Sequence, residues 1–285
     1  MKTLRLVFED HLSSSISSLS DCNKTEDIIF MTEATPTMLA VKHHKKKIAF
    51  LFSAMRHFAK ELKEKNYNIL YEKINKEAIN IPYKDKISQL IKEHNITKIV
   101  LTEPSSYKLL EEIKTYGTVL KVPVEIRIDD RFLSSIEHFK QWSKDKKSLR
   151  MEFFYREMRK KYNILMDGDQ PTGGEWNYDK ENRKPPKDNL NIPKPYAQDH
   201  DEITSSAIDD VSIFFKDNFG DLNPFYFAVT REQARRCLNK FIEERLEKFG
   251  DFQDAMIQNE PWMYHAHLSF YLNAGLLLPL ECIHA

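Results

Sequence analysis

Three groups of polar side chains in this sequence are of the types and spacing that could carry chemistry. Two histidines and a serine (His265, His267 and Ser269) stand in an otherwise apolar stretch, where a buried polar group needs a partner and therefore indicates a pocket. Basic and aromatic residues alternate over 148–161, a pattern that suits phosphate contact. Carboxylates that could hydrogen-bond a polar ring follow short apolar runs, at Glu9, Asp10, Glu33, Glu103, Asp129 and Asp130.

Each group also has a purely structural explanation, and the sequence does not decide between the functional and the structural one. The carboxylates could cap strand ends, the histidines could be satisfied in the core, and the basic helix could bridge domains with buried stems. A metal site is not expected. His44 and His57 are more than three helical turns apart, and the widely spaced Cys22, Cys237 and Cys282 form neither a disulfide framework nor a zinc pattern.

The elements that must position these residues come in two kinds. Strands alternate with helices over the first 130 residues, which predicts an α/β fold with a parallel five-stranded sheet and helices on both faces. Ligands of such sheets lie beyond the carboxyl ends of the strands, where the acidic residues stand. The predicted strands are Leu4–Phe8, Asp27–Thr32, Ile69–Ile74, Lys98–Thr102 and Val124–Ile128.

The remaining segments read as helices and connections. An apolar stripe from Ile48 to Leu62 recurs at helical spacing and faces a core. The serine-rich stretch 13–20 is interpreted as a solvated loop. Thr230 and Gln233 form a capping box that opens a helix, which Gly250 should end. A further helix is expected to begin near Tyr264, and the chain stops within the one after it.

Composition excludes several classes of protein. The chain has 285 residues with 43 basic and 43 acidic side chains, so it carries no general basic coat for nucleic acid. It has 7 glycines, the first at Gly117, so the N-terminal part holds neither a dinucleotide fingerprint nor a P-loop. No apolar run approaches the roughly 20 residues that span a bilayer, the start turns acidic too soon for a signal peptide, and a cytoplasmic protein is the default expectation.

Several segments resemble the bacterial (6-4) photolyases, the iron–sulfur branch of the cryptochrome/photolyase family, also called deoxyribodipyrimidine photolyase-related proteins. The similarity runs in order along the whole chain, through HHKKKIAFLFSAMRHFAKEL, FLSS, KSLRMEFFYREMR, GGEWNYDKENRKP, NFG, FAVTR, FGDFQDAM and HLSFYLNAGLL. The resemblance implies an N-terminal antenna domain that binds 6,7-dimethyl-8-ribityllumazine, a long linker, and a helical domain that holds FAD. It also implies electron transfer from light-excited reduced FAD to a lesion in UV-damaged DNA.

The resemblance also assigns roles to particular residues. Asp10 and Glu33 match antenna positions, and Thr37 stands where relatives carry a further carboxylate. The chain departs from the family at Glu9 and His11, where the usual motif is Gly-Asp-Gln-Leu. None of the three cysteines matches a ligand of the [4Fe-4S] cluster. The implied FAD-binding residues are Phe252, which matches an aromatic position against the flavin, and the phosphate segment His265, Ala266, His267, Leu268 and Ser269.

The family is roughly twice as long as this chain, so we expect the chain to be its front portion, with the catalytic residues beyond Ala285. The expected domains are an α/β antenna domain over 1–131, a linker with a helix over 132–202, and the first helices of the FAD-binding domain over 203–285. The expected function is (6-4)-type photorepair, with the chain inactive alone. The alternatives are a cryptochrome-like blue-light photoreceptor and a module in which only the α/β domain works. No membrane and no obligate protein partner are expected.

Overall fold

Short apolar segments near the N-terminus become the strands of one parallel sheet in the computed structural model, which describes residues 2–180, 182–186 and 190–285. The strand order is β3-β2-β1-β4-β5, and every neighbouring pair is parallel. A separate antiparallel pair, β6–β7, lies later in the chain. The strands are β1 (Thr3–Leu6), β2 (Ile28–Thr32), β3 (Ile69–Glu72), β4 (Lys98–Thr102), β5 (Val124–Arg127), β6 (Met166–Asp167) and β7 (Gln170–Pro171).

Helices connect the strands and are the main regular elements of the later chain. They are α1 (Pro36–Ala40), α2 (Lys45–Glu64), α3 (Lys76–Asn80), α4 (Tyr83–His94), α5 (Tyr107–Lys114), α6 (Tyr116–Leu120), α7 (Ile136–Ser143), α8 (Met151–Tyr162), α9 (Glu202–Phe214), α10 (Arg231–Glu244), α11 (Leu246–Phe252), α12 (Ser269–Ala274) and α13 (Pro279–His284). The predicted α/β class with a five-stranded parallel sheet is thus confirmed, with strand ends shifted by one or two residues.

Alternation of side chains along the strands gives the sheet two apolar faces. Leu4 and Leu6 of β1 share a buried cluster with residues of α4 and α5, including Ile87 and Ile113. The predicted stripe of α2 from Ile48 to Leu62 is buried throughout. His44 begins α2 by accepting a hydrogen bond from the Lys46 backbone N–H at 3.0 Å through its Nδ1. His44 is therefore a helix cap.

Two predicted helix limits are wrong. The capping box of Thr230 and Gln233 is present, with both reciprocal bonds at 3.2 Å, but α10 ends at Glu244 rather than at Gly250. The backbone turns at Arg245, whose buried guanidinium donates a hydrogen bond to the Pro193 carbonyl at 2.6 Å, and Gly250 lies inside α11. A local side-chain contact overrides helical propensity there.

The helix expected near Tyr264 begins only at Ser269. Met263 and His267 have φ of +42° and +53°, which an α-helix cannot contain. The His267 backbone N–H donates to Nδ1 of His265 at 3.1 Å, so a side chain takes the place of a helical carbonyl acceptor. The segment before α12 is accordingly a loop.

The serine-rich stretch 13–20 is not a solvated loop. Ile16, Ser18 and Leu19 are buried, and a 3-10 helix runs over Ser17–Leu19. Thr102, at the end of β4, accepts a hydrogen bond from the Ser18 backbone N–H at 3.0 Å and contacts the Ser17 hydroxyl at 3.0 Å. Serines here form hydrogen bonds with the side chain at the end of β4, a role that composition alone does not reveal.

The chain divides into two compact units. The first contains Met1–Arg131, Tyr196–Cys237 and Leu268–Leu278, and the second contains Phe132–Pro195, Leu238–His267 and Pro279–Ala285. The domain boundaries expected from the sequence remain a prediction, and the expected linker includes Glu181 and 187–189, which lie outside the described residues. Among the helices that the structure describes, none combines the length and the apolar character needed to cross a bilayer.

Candidate functional site

The carboxylate that follows β2 is fully engaged by the protein. Glu33 is completely buried. Its Oε1 accepts hydrogen bonds from Arg56 Nε at 2.6 Å and from the Tyr71 hydroxyl at 2.7 Å. Its Oε2 accepts from Arg56 Nη2 at 3.0 Å and from the Ile74 backbone N–H at 2.8 Å. A carboxylate offers about four lone-pair directions, so these four bonds leave none for a ligand.

The partner of Glu33 extends the contact to another helix. Arg56 on α2 also donates to the Ser206 hydroxyl at 3.1 Å and to Asp210 Oδ2 at 2.6 Å, both on α9. Burial alone would lower the pKa of Arg56, but its hydrogen bonds with Glu33 and Asp210 raise it instead. Burial and the Glu33 charge raise the pKa of Tyr71 well above 10, so its hydroxyl keeps the proton that it donates. The β2 end is a satisfied ionic cluster.

The neighbouring end of β1 is different. Glu9 and His11 are both buried, yet Glu9 Oε2 and both ring nitrogens of His11 have no hydrogen-bond partner among the described residues. Burial, followed by the Asp10 charge, raises the pKa of Glu9 to about 7. Burial lowers the pKa of His11. These two side chains, at which the sequence departs from the family motif, are therefore the ones with unused hydrogen-bonding capacity.

The other two expected antenna residues lie close to the same strand ends. The Asp10 carboxylate is 24% exposed and lies 3.6 Å from His11 Nε2, while its carbonyl accepts a hydrogen bond from Arg131. Thr37 lies in α1, just after β2, and is half-buried. The structure thus brings Asp10, Glu33 and Thr37 to the ends of two adjacent strands, as expected from the sequence. Of the three, only Glu33 has its hydrogen-bonding capacity used up.

Asp129 on the acidic rim is, like Glu33, neutralised by an arginine. Asp129 receives a bidentate contact from Arg131, at 2.8 Å from Nε and 2.7 Å from Nη2. Burial opposes ionisation of Asp129, but the Arg131 hydrogen bonds dominate and lower its pKa. The sequence located the carboxylates correctly, but their arginine partners stand 23 residues away for Glu33 and two residues away for Asp129.

The second unit contains a cavity of about 490 Å³ beside the expected FAD segment. Its lining includes Met256, Trp262, His265 and His267, together with Asp254 and Glu260, and no lysine or arginine. Phe252 lies nearby, with its ring centroid 5.9 Å from that of Tyr264. The lining suits a flat aromatic ring, whereas the phosphates of a dinucleotide would need donors from elsewhere.

Two histidines of this cavity pack on each other. The rings of His265 and His267 stack with centroids 5.1 Å apart, and Trp262 meets His267 edge-on at 5.0 Å. Burial, followed by the nearby Arg245 charge, lowers the pKa of His267 to about 4. His267 is therefore neutral at physiological pH, and its ring packs against those of His265 and Trp262.

The rest of the expected phosphate segment leads into α12. Ala266 is half-buried, Leu268 is buried, and Ser269 is the exposed first residue of the helix. The structure places Leu268 and Ser269 in the first unit and His265–His267 in the second. Tyr271 of α12 is held by its hydroxyl, which accepts a hydrogen bond from the Ala228 backbone N–H at 3.0 Å.

Three basic residues of α8 surround one indole ring. The side chains of Arg156, Arg159 and Lys160 approach the Trp176 ring at 5.3–5.5 Å. Arg159 is buried and also donates to the Ile164 and Leu165 carbonyls. These contacts hold the connection after α8 against the helix. They favour the structural explanation for Arg159, while Arg156 and Lys160 are compatible with both explanations.

The thiols and the histidines do not gather into a ligand set. Within residues 2–180, 182–186 and 190–285, no group of three or more His, Cys, Asp or Glu side chains could hold a metal ion. All three cysteines are free thiols. Burial raises the pKa of Cys22 and of Cys237 to about 11, so both remain protonated at neutral pH.

Comparisons with known proteins agree with this fold. The model of one family, described as deoxyribodipyrimidine photo-lyase-related protein, matches residues 5–227. The chain therefore belongs to this photolyase-related family, and the resemblance noted in the sequence is confirmed.

Particular relatives refine this assignment. The (6-4) photolyase of Agrobacterium fabrum is 44% identical over 281 residues, which are 99% of this chain and 55% of that protein. An uncharacterised protein of Acanthamoeba polyphaga mimivirus is 26% identical over 142 residues, 48% of this chain and 70% of that protein. The crystal structure of a bacterial class III photolyase from Agrobacterium tumefaciens has the same fold, with a TM-score of 0.57 at 12% identity, covering 99% of this chain and 52% of that one. The chain spans about half the length of both photolyases.

Proposed function

We propose that the protein to which this chain belongs is a light-driven DNA-repair flavoprotein of the (6-4) photolyase type. The observation that carries the proposal is the 44% identity to a protein named (6-4) photolyase over nearly the whole chain. The substrate would be a UV photoproduct in DNA, taken out of the stack for repair. FAD, when bound in its reduced form, supplies the light-excited electron, while the protein supplies binding and orientation.

The residues of this chain would hold the flavin by ring packing and hydrogen bonding. The cavity lined by Trp262, His265 and His267 fits a flat ring system, and Phe252 stands beside it. The low pKa of His267 keeps its ring neutral, so it can donate a hydrogen bond without carrying charge. Ser269 is exposed at the start of α12, and its hydroxyl is our candidate for a phosphate contact.

The antenna chromophore fits less well. A lumazine ring would need an acceptor at Glu33, but both oxygens of this side chain are taken by Arg56, Tyr71 and Ile74. We therefore propose that Glu33 has a structural role and that binding of a chromophore at this rim would depend on Asp10 and Thr37, together with the groups of Glu9 and His11 that have no partner among the described residues. We likewise propose that the [4Fe-4S] cluster of the family takes no ligand from Cys22, Cys237 or Cys282.

A repair assay on the product of the complete gene tests the proposal. Oligonucleotides carrying a (6-4) photoproduct should lose the lesion under blue light and keep it in the dark. Flavin photoreduction without loss of the lesion would favour the cryptochrome-like photoreceptor instead. A protein that binds no flavin at all would favour the module in which only the α/β domain works, and would overturn the proposal.

The contribution of Ser269 can be measured separately. Ser269→Ala should lower FAD affinity about tenfold, since a hydrogen bond to a charged group contributes about 1.5 kcal/mol or more. Ser212→Ala is the matched control, because Ser212 also lies exposed on a helix and its hydroxyl bonds the nearby Asp209 carbonyl. Equal FAD affinity in the two variants would remove Ser269 from the proposed site.

A further inference from the structure

The turn that ends α12 lies directly on the loop that follows β1. Gly275 caps the helix with φ +83°, and the Leu276 backbone N–H closes the turn by donating to the Tyr271 carbonyl at 2.9 Å. The Ala274 carbonyl accepts a hydrogen bond from the Leu12 backbone N–H at 2.9 Å. The last residues of α12 are thus tied to the strand-end loop through main-chain atoms.

The contact leaves little room for a side chain at Gly275. A Cβ there would stand 3.0 Å from Arg131 Nη1, 3.1 Å from the Leu12 backbone nitrogen and 3.3 Å from the Asp10 carbonyl oxygen. Two of these three atoms belong to backbone, which cannot move aside as a side-chain tip can. A Cβ at this position would therefore press on its neighbours in addition to the strain of the positive φ.

Arg131 holds the other side of this contact. Its guanidinium makes the bidentate pair with Asp129 and donates to the Asp10 carbonyl, and the residue is buried. The Arg131 guanidinium thus joins the residues after β5 to the loop after β1, where the turn at Gly275 packs on that loop. A lysine could not make the same set of bonds, because it lacks the planar fork.

We propose that Gly275 and Arg131 are positioning residues that set the place of α12, and with it Ser269, on the strand-end rim. This inference rests on the proposed flavin function, because it holds that Ser269 can contact FAD only when α12 is accurately placed. FAD affinity should then depend on two residues that act through the helix and the loop without contributing to the flavin site themselves.

The chain offers a matched pair of glycines for the test. Gly174 has the same φ of +83°, but a Cβ there would meet nothing within 4 Å. Gly275→Ala and Gly174→Ala therefore impose the same backbone strain, and only the first adds the close contacts. In the product of the complete gene, stripped of flavin and titrated with FAD, Gly275→Ala should weaken binding at least tenfold and Gly174→Ala less than twofold.

A second pair keeps the inference falsifiable if Gly275→Ala does not fold. Arg131→Lys should weaken FAD binding about fivefold, whereas Arg127→Lys should leave it unchanged, because Arg127 makes a similar bidentate pair with Asp21 away from α12. Amide exchange of Leu12 should also become at least tenfold faster in Arg131→Lys, since the bond to Ala274 is loosened. That readout needs no flavin.

The outcomes separate the two proposals. If the wild type binds FAD and both members of each pair bind it equally, the positioning role is overturned and the flavin function stands. If thermal stability falls in Arg131→Lys but FAD affinity and Leu12 exchange do not change, the contact is only structural and the inference fails. If the wild type binds no FAD, the proposed function fails, and this inference fails with it.

Discussion

The ends of β1 and β2 lie side by side in the sheet but bury their carboxylates in opposite ways. Glu33, after β2, accepts four hydrogen bonds and pairs with a buried arginine. Glu9, after β1, has one oxygen without a partner, and its pKa is raised to about 7. His11, two residues on, has both ring nitrogens unpartnered among the described residues.

This difference indicates which groups on the rim are still able to bind a ligand. A buried charge is tolerated when its partners are complete, and it then contributes structure. Where partners are incomplete, the group changes its protonation state instead of remaining charged. Ligand binding at the strand ends should therefore be sought around Glu9, Asp10 and His11 rather than at Glu33.

Breaking the β2 cluster should give the largest effect. Arg56→Met leaves the Glu33 carboxylate buried with its main partner removed, which costs about 3–5 kcal/mol in the free energy of unfolding. It also removes the bonds to Ser206 and Asp210 on α9. Urea unfolding at neutral pH measures the loss.

The control for that variant is an arginine in an exposed ion pair. Arg236→Met removes the pair with Glu232 on the surface of α10 and should cost far less than Arg56→Met, because exposed ion pairs contribute little to stability. Similar losses in the two variants would contradict the view that the β2 end is a structural cluster.

Glu9→Gln tests the β1 end and should have the next largest effect. Between pH 4.5, the ordinary pKa, and about 7, the folded state keeps a proton on Glu9 that the unfolded state has lost. The free energy of unfolding of the wild type therefore falls as pH rises through this window, by at most about 3 kcal/mol. The variant is neutral throughout, so its stability relative to the wild type should increase from pH 4.5 to about pH 8.

Glu243→Gln serves as the control for this pH dependence, because Glu243 is exposed on α10. Its unfolding free energy should follow the wild-type curve at every pH. Stability of Glu9→Gln that runs parallel to the wild type over the whole window would show that the Glu9 carboxyl is not perturbed, and the contrast with Glu33 would disappear.

The strands and the sheet were predictable because their signals are local. Runs such as Leu4–Phe8 and Lys98–Thr102 are apolar and short, and their alternation with helical periodicity permits few topologies. The limits of the later helices were not predictable. Arg245 and the loop before Ser269 depend on contacts with Pro193 and between His265 and His267, which periodicity does not encode.

The candidate site was predictable in position but not in electrostatic state. The carboxyl ends of parallel strands meet at one edge, so the carboxylates had to gather there. Whether each of them is paired depends on Arg56 and Arg131, and nothing in the sequence around those arginines marks them as partners. The close approach of Gly275 to the loop after β1 was equally unpredictable, since a glycine after an apolar helix indicates only a helix cap.

His11→Gln tests the β1 end through a basic side chain instead of an acidic one, and it should have the smallest effect. Burial lowers the pKa of His11, so below its ordinary value of 6.5 the unfolded state binds a proton that the folded state refuses. The wild type therefore loses stability as pH falls, by at most about 2 kcal/mol at about pH 5. The variant should lose less over that range, as urea unfolding would show, whereas the exposed His200→Gln should behave like the wild type.

Since Glu9 and His11 act with opposite sign between pH 4.5 and 6.5, the double variant should have a flatter stability profile than either single one. A profile in which the two substitutions change stability in the same direction would contradict either the raised pKa of Glu9 or the lowered pKa of His11.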